Sequence, residues 1–101
     1  MWLFVAFDLP VETPEMRKVY RVFRKQLENM GFISWQKSLF FRKCFEPGQT
    51  TEFKKKISSI SPALGNILII AIPPDIMRTS VCLFNQVPME IFLQQEPMTL
   101  L

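Results

Sequence analysis

Residues 2–7 read Trp-Leu-Phe-Val-Ala-Phe, an unbroken apolar run that Asp8-Leu9-Pro10 ends. A run this short, with no polar residue to turn toward water on either side, reads as a strand buried at the centre of a sheet. Such a strand needs partners along its edges and cover on its faces.

Thr13-Pro14 offers a helix N-cap followed by proline at the first helical position. From there to Met30 the period is helical. Met16, Val19, Tyr20, Phe23, Leu27 and Met30 fall on one stripe at about 100° per residue, with Arg17, Lys18, Arg21, Arg24 and Lys25 on the opposite side. Gly31 stands where a helix C-terminus favours a left-handed residue. Residues 32–45 hold no Gly or Pro and follow a helical period poorly. They predict two short strands, roughly 32–36 and 38–45, with a tight turn or bulge near Lys37.

Glu46-Pro47-Gly48 closes the second of these, and Gln49–Ile60 predicts a helix with Phe53, Ile57 and Ile60 inward and Lys54, Lys55 and Lys56 largely outside. Ser61-Pro62 stops it. Residues 66–72 are apolar on both faces after Asn66, which predicts a central or interface-covered strand. Pro73-Pro74-Asp75 breaks that strand, and 80–84 and 89–94 predict two further short strands joined through Pro88. The order β-α-β-β-α-β is the split βαβ arrangement of ferredoxin-like α+β domains, a four-stranded antiparallel sheet with helices on one face. The expected division is a ferredoxin-like domain over 1–85 and a C-terminal strand or tail over 86–101. That tail either completes its own sheet as an edge strand or pairs with another chain.

At 101 residues the chain has room for one domain, yet 49% of it is hydrophobic and ten residues are Phe. A domain this small buries only about 60–70% of the surface its unfolded chain exposes. Part of the apolar supply is therefore expected to face another protomer. A two-fold homodimer packed sheet against sheet would cover the face that the helices leave open.

Charge is unevenly spread. Residues 1–60 carry a net +5 and residues 61–101 a net −2, and between 17 and 43 there are eight basic residues against one acid, Glu28. That concentration suggests a polyanion-facing surface. Cys44 and Cys82 lack metal-ligand spacing and read as free thiols of a reducing cytoplasm. There is no signal-peptide pattern and no apolar run long enough to span a bilayer, so a cytoplasmic protein without membrane association is expected. With no histidine, His-based nucleophiles and zinc sites are excluded, and three glycines leave no phosphate-cradling loop.

Asp8 ends the first strand. An aspartate before Leu-Pro often orders a turn, but its carboxylate is also the leading candidate metal ligand and catalytic group. Mg2+ binds through one or two carboxylates plus water and phosphate. Two copies of Asp8 near a two-fold axis could share one ion, with Ser38 as a polar neighbour. Glu12 is the weaker candidate, better placed to favour the N-terminus of the first helix. Arg17, Arg21 and Arg24, spaced i, i+4, i+7, form a row that could track a DNA backbone, flanked by Lys18 and Lys25. Lys37, Arg42 and Lys43 on the adjoining strands would extend it. The competing reading is a solvated helix face with Arg24 and Glu28 paired at i, i+4. Contacts of this kind reach phosphate rather than base edges, so any duplex-DNA binding would depend on salt.

Three stretches resemble the CRISPR-associated protein 2 family. The opening Phe4-Val5-Ala6-Phe7-Asp8-Leu9-Pro10 with its Arg/Lys-rich helix is most similar to members from type II systems. Gly31-Phe32-Ile33-Ser34-Trp35-Gln36-Lys37-Ser38-Leu39-Phe40 resembles the second signature, a glycine leading to Gln-x-Ser and an apolar-aromatic pair. Gly65-Asn66-Ile67-Leu68-Ile69-Ile70-Ala71-Ile72 matches the fourth strand in position.

The resemblance implies a ferredoxin-like homodimer that partners the CRISPR integrase, CRISPR-associated protein 1, and bridges duplex prespacer DNA in spacer acquisition. There, catalysis belongs to the integrase. The family's strand-end aspartate, linked in some members to metal-dependent nuclease activity, maps onto Asp8. The chain departs from the family pattern at 68–72, wholly apolar where members often carry a basic residue, and at Pro73-Pro74. Two other readings stay open. One is a standalone Mg2+-dependent endonuclease using Asp8 from both protomers, and the other a ferredoxin-like regulatory module that binds no nucleic acid.

Overall fold

The structure, a computed structural model, describes residues 1–84 and 87–89. The elements run β1 (Trp2–Asp8), α1 (Pro14–Asn29), β2 (Ile33–Gln36), β3 (Leu39–Lys43), α2 (Gln49–Ile60) and β4 (Asn66–Ile72). The four strands form one antiparallel sheet in the order β2-β3-β1-β4, the ferredoxin-like α+β arrangement. As expected, β1 is central: Trp2, Leu3 and Val5 are wholly buried. Alternation sends Leu3, Val5 and Phe7 to the helix side, where they join Phe23 and Leu27 of α1 and Phe53 and Ile57 of α2 in the main core. Trp2 and Phe4 fall on the other face with Phe41 and Ile33.

Local chemistry fixes the helix ends. The Thr13 hydroxyl accepts from Met16 N at 3.1 Å, and Pro14 follows at the first helical position. At the far end Gly31, at φ 86°, donates to Glu28 O and Phe32 N donates to Leu27 O, the paired bonds of a Schellman cap. Phe32, just past the cap, is buried against the core and closes the turn. The side-chain oxygen of Gln49 accepts from Phe45 N and Glu46 N, which sets the entry to α2. Cys44 is a free, buried thiol; burial pushes its pKa up, against the opposing pull of Arg42, the N-terminus and Lys43.

Several expectations are revised. Of the two readings of β4, central or interface-covered, the sheet order removes the first: it is an edge strand, paired only with β1 in this sheet. Its second apolar face, including Leu68 (57% exposed) and Ile70 (41% exposed), meets water within one chain. Pro73-Pro74 does end β4, but it also opens a helical turn, α3 (Pro74–Met77), whose Met77 packs against Trp2 and Phe41. Proline fits there because the first helical position needs no N–H donor. The last described strands, β5 (Cys82–Phe84) and β6 (Val87–Met89), make an antiparallel hairpin. Pro88 lies inside β6 opposite Leu83 instead of joining two strands, a position open to proline because a two-stranded ribbon leaves its outer N–H row unpaired. The strand expected over 89–94 lies outside the described residues beyond Met89. Val19 belongs to the expected inward stripe but is 45% exposed, since the helix is buried along Phe23 and Leu27.

Candidate nucleic-acid interface and strand-end carboxylate

At about 100° per residue, Arg24, Arg17, Arg21, Lys25 and Lys18 lie within an arc of roughly 120° on α1. This arc flanks the buried stripe on the side of the β2–β3 turn. Lys18, Arg21 and Lys25 are exposed, and among the described residues they have no hydrogen-bonded partner. The other two arginines are tethered. Arg17 Nη1 donates to the Val11 carbonyl at 2.9 Å, folding back onto the segment before the helix. Arg24 donates to the Lys37 carbonyl and lies 5.0 Å from the Phe40 ring centroid and 5.9 Å from that of Tyr20. Its guanidinium is thus directed to the turn and not to Glu28.

The strand residues divide by position. Lys37, at the β2–β3 turn, is exposed and adjoins the α1 arc through the Arg24 bond. Arg42 and Lys43 sit at the opposite end of β3. Arg42 donates to the Met30 carbonyl and stacks 4.5 Å from the Phe53 ring centroid, so its cation caps the C-terminal end of α1. Lys43 lies 5.4 Å over the Trp2 ring. Neither is near Lys37. The Lys54–Lys56 run is exposed, as expected of a solvated helix face.

Asp8 is exposed at the end of β1, in register with Asn66 on β4. It shares an open concavity with Glu12, Asn66, Gly65, Met16 and Leu64. The approach of the two strand ends depends on Gly65, which has φ 105°. A Cβ there would stand 2.6 Å from the Asp8 carbonyl oxygen and 2.6 Å from a methyl of Leu9. Ser38 is drawn to the same end of the sheet, its carbonyl accepting from Phe7 N at 3.0 Å. Its hydroxyl, however, meets the Tyr20 hydroxyl at 3.0 Å on the helix side, not the Asp8 carboxylate. Tyr20 is the residue that sequence reasoning left in the core stripe and that the structure places at this junction. No cluster of three or more His, Cys, Asp or Glu occurs among the described residues.

On the opposite side, the open face of the sheet presents Phe4, Ile33 and Trp35, all half-buried, beside Leu68 and Ile70. Among the described residues no helix is long and apolar enough to cross a membrane.

Comparison with known proteins gives a consistent set. The family described as CRISPR associated protein Cas2 matches residues 1–78. A Ligilactobacillus salivarius protein named CRISPR-associated endoribonuclease Cas2 is 48% identical over 65 residues, spanning 64% of each chain. The chain thus spans just under two thirds of that relative's length. A Parvibaculum lavamentivorans protein of the same name is 36% identical over 72 residues, 71% of each chain. The crystal structure of Streptococcus pyogenes Cas2 at pH 6.5 superposes with a TM-score of 0.62 at 22% identity, covering 83% of this chain and all of the other. At that identity the likeness speaks for the fold.

Proposed function

The chain belongs to the CRISPR-associated protein Cas2 family, and from that premise we propose that it is a dimeric scaffold bridging integrase subunits and duplex prespacer DNA in spacer acquisition. The observation that carries this reading is the contrast between two opposite surfaces. One is the cationic arc of α1, exposed at Lys18, Arg21 and Lys25. The other is the open apolar face around Phe4, Trp35, Leu68 and Ile70. The first suits a phosphate backbone and the second an apolar partner, which another copy of the same face supplies. In this reading 1–85 form the domain, and 86–101 pair with the sister protomer or with the integrase, CRISPR-associated protein 1.

The phosphate-facing surface centres on Lys18, Arg21, Lys25 and Lys37, with Arg17 and Arg24 at its edge. Arg42 and Lys43 serve the fold at the far end of β3. Four phosphate contacts would give log K against log salt a slope of about −3.6. The triple variant Lys18→Glu, Arg21→Glu, Lys25→Glu, tested by fluorescence anisotropy with a labelled DNA duplex, is expected to lose both affinity and most of that slope. Unchanged binding would overturn the reading.

The name endoribonuclease borne by the relatives favours a second reading, a Mg2+-dependent endonuclease acting through Asp8 of both protomers. The donors at hand, the Asp8 and Glu12 carboxylates and the Asn66 side chain, are oxygen ligands of the kind Mg2+ takes. Two carboxylates on an open surface are few for one chain, so a second copy has to complete the site. Asp8→Asn is expected to abolish metal-dependent RNA cleavage and leave the dimer intact; cleavage that survives it removes this reading.

A further inference from the structure

We infer that Tyr20 is a positioning residue for phosphate binding, one that holds the Lys37 turn against α1 so that the Lys37 ammonium joins the cationic arc. The inference rests on the DNA-binding reading above. The Tyr20 hydroxyl donates to the Lys37 carbonyl at 3.0 Å. With its single proton committed there, it accepts from the Ser38 hydroxyl at 3.0 Å. Arg24 donates to the same Lys37 carbonyl, which thereby accepts from two side chains of α1. The tyrosine ring is itself fixed, 5.8 Å from Phe7, while the Ser38 carbonyl is bonded to Phe7 N.

Only Lys37 and Ser38 separate β2 from β3, and the pairing of those strands already shifts register between Ser34 and Gln36. A bulge next to a short turn leaves the turn's direction weakly set by the ladder alone. The two bonds that Tyr20 and Arg24 donate to the Lys37 carbonyl set it instead. They fix the Lys37 backbone against the Tyr20 and Arg24 side of α1 and leave its side chain exposed, where a lysine can meet the next phosphate along a strand.

The test measures duplex affinity against salt with a fluorescein-labelled DNA duplex and the full chain. Lys37→Ala should reduce the magnitude of the slope by about 0.9, one phosphate contact. Tyr20→Phe removes no charge and keeps the ring, yet it should produce more than half of that reduction. The double variant should fall no further than Lys37→Ala alone. Ser38→Ala, which leaves the Tyr20–Lys37 bond in place, should keep the slope of the parent chain.

A Tyr20→Phe protein with the parent slope, while Lys37→Ala lowers it, overturns the inference and leaves the DNA-binding reading standing. A Lys37→Ala protein with the parent slope does the same. A parent chain without salt-dependent binding overturns both. Thermal melts check that the variants fold. Should Tyr20→Phe not fold, Arg24→Lys, which keeps the charge but loses the planar fork, carries the same slope test and the same refuting result.

Discussion

Replacing Gly65 with alanine probes the packing that brings the start of β4 against the Asp8 strand end. The new methyl would stand 2.6 Å from the Asp8 carbonyl oxygen and equally close to a Leu9 methyl, at a backbone φ of 105°. A left-handed conformation costs an L-residue about 1–2 kcal/mol. Relieving the contacts then requires the backbone at residues 8 and 65 to separate and the buried Leu9 side chain to move. Displacing Leu9 forfeits part of the roughly 1.5–3 kcal/mol that a fully buried leucine contributes. The expected loss is about 2–4 kcal/mol. For a chain of this length each kcal/mol lowers the midpoint by about 4–8 °C, so melting should fall by roughly 8–32 °C. Circular dichroism melts at one fixed protein concentration, which holds any dimer contribution constant, measure it. A midpoint within about 3 °C of the parent would refute the close approach at this strand end.

Arg42→Ala removes the bond to the Met30 carbonyl and the stack on Phe53, and is expected to cost about 2–3 kcal/mol in urea unfolding with the salt slope of DNA binding unchanged. A reduced slope would return Arg42 to the binding surface. Leu68→Glu combined with Ile70→Glu places two carboxylates on the open sheet face and is expected to yield a folded monomer by light scattering. A persistent dimer would contradict sheet-to-sheet packing. Asp8→Asn should leave the melting midpoint within about 3 °C, because the side chain is exposed, and a large drop would make Asp8 a structural residue first.

The main elements were legible because their signals are local. The apolar run of β1, the Thr13-Pro14 entry to α1 and the glycine at its exit each specify a conformation through their own sterics and hydrogen bonds. The edge position of β4 was not legible, since an apolar strand looks the same whether a neighbouring strand or a second molecule covers it. Pro73-Pro74 was read only as a stop, although proline ends a strand and starts a helix for the same reason, a missing donor and a fixed φ.

At the candidate site, the helical period located the basic arc but not the reach of its arginines. A long side chain's Cβ direction does not say which carbonyl its guanidinium will find, and Arg24 turns to Lys37. Arg42 did carry a readable signal. It shares a face with Phe40 on β3 and with Cys44 just beyond the strand, which places it toward the helices. Tyr20 gave none, because an aromatic at core spacing conceals a hydroxyl at its rim.

The most direct test of the scaffold account is size-exclusion chromatography with light scattering on this chain, mixed with the integrase from the same genome and a short DNA duplex. The account predicts a complex holding one dimer of this chain with integrase on both sides, weakened by added salt. Elution of the chain as a separate dimer at low salt, with integrase and duplex apart from it, would contradict the bridging role.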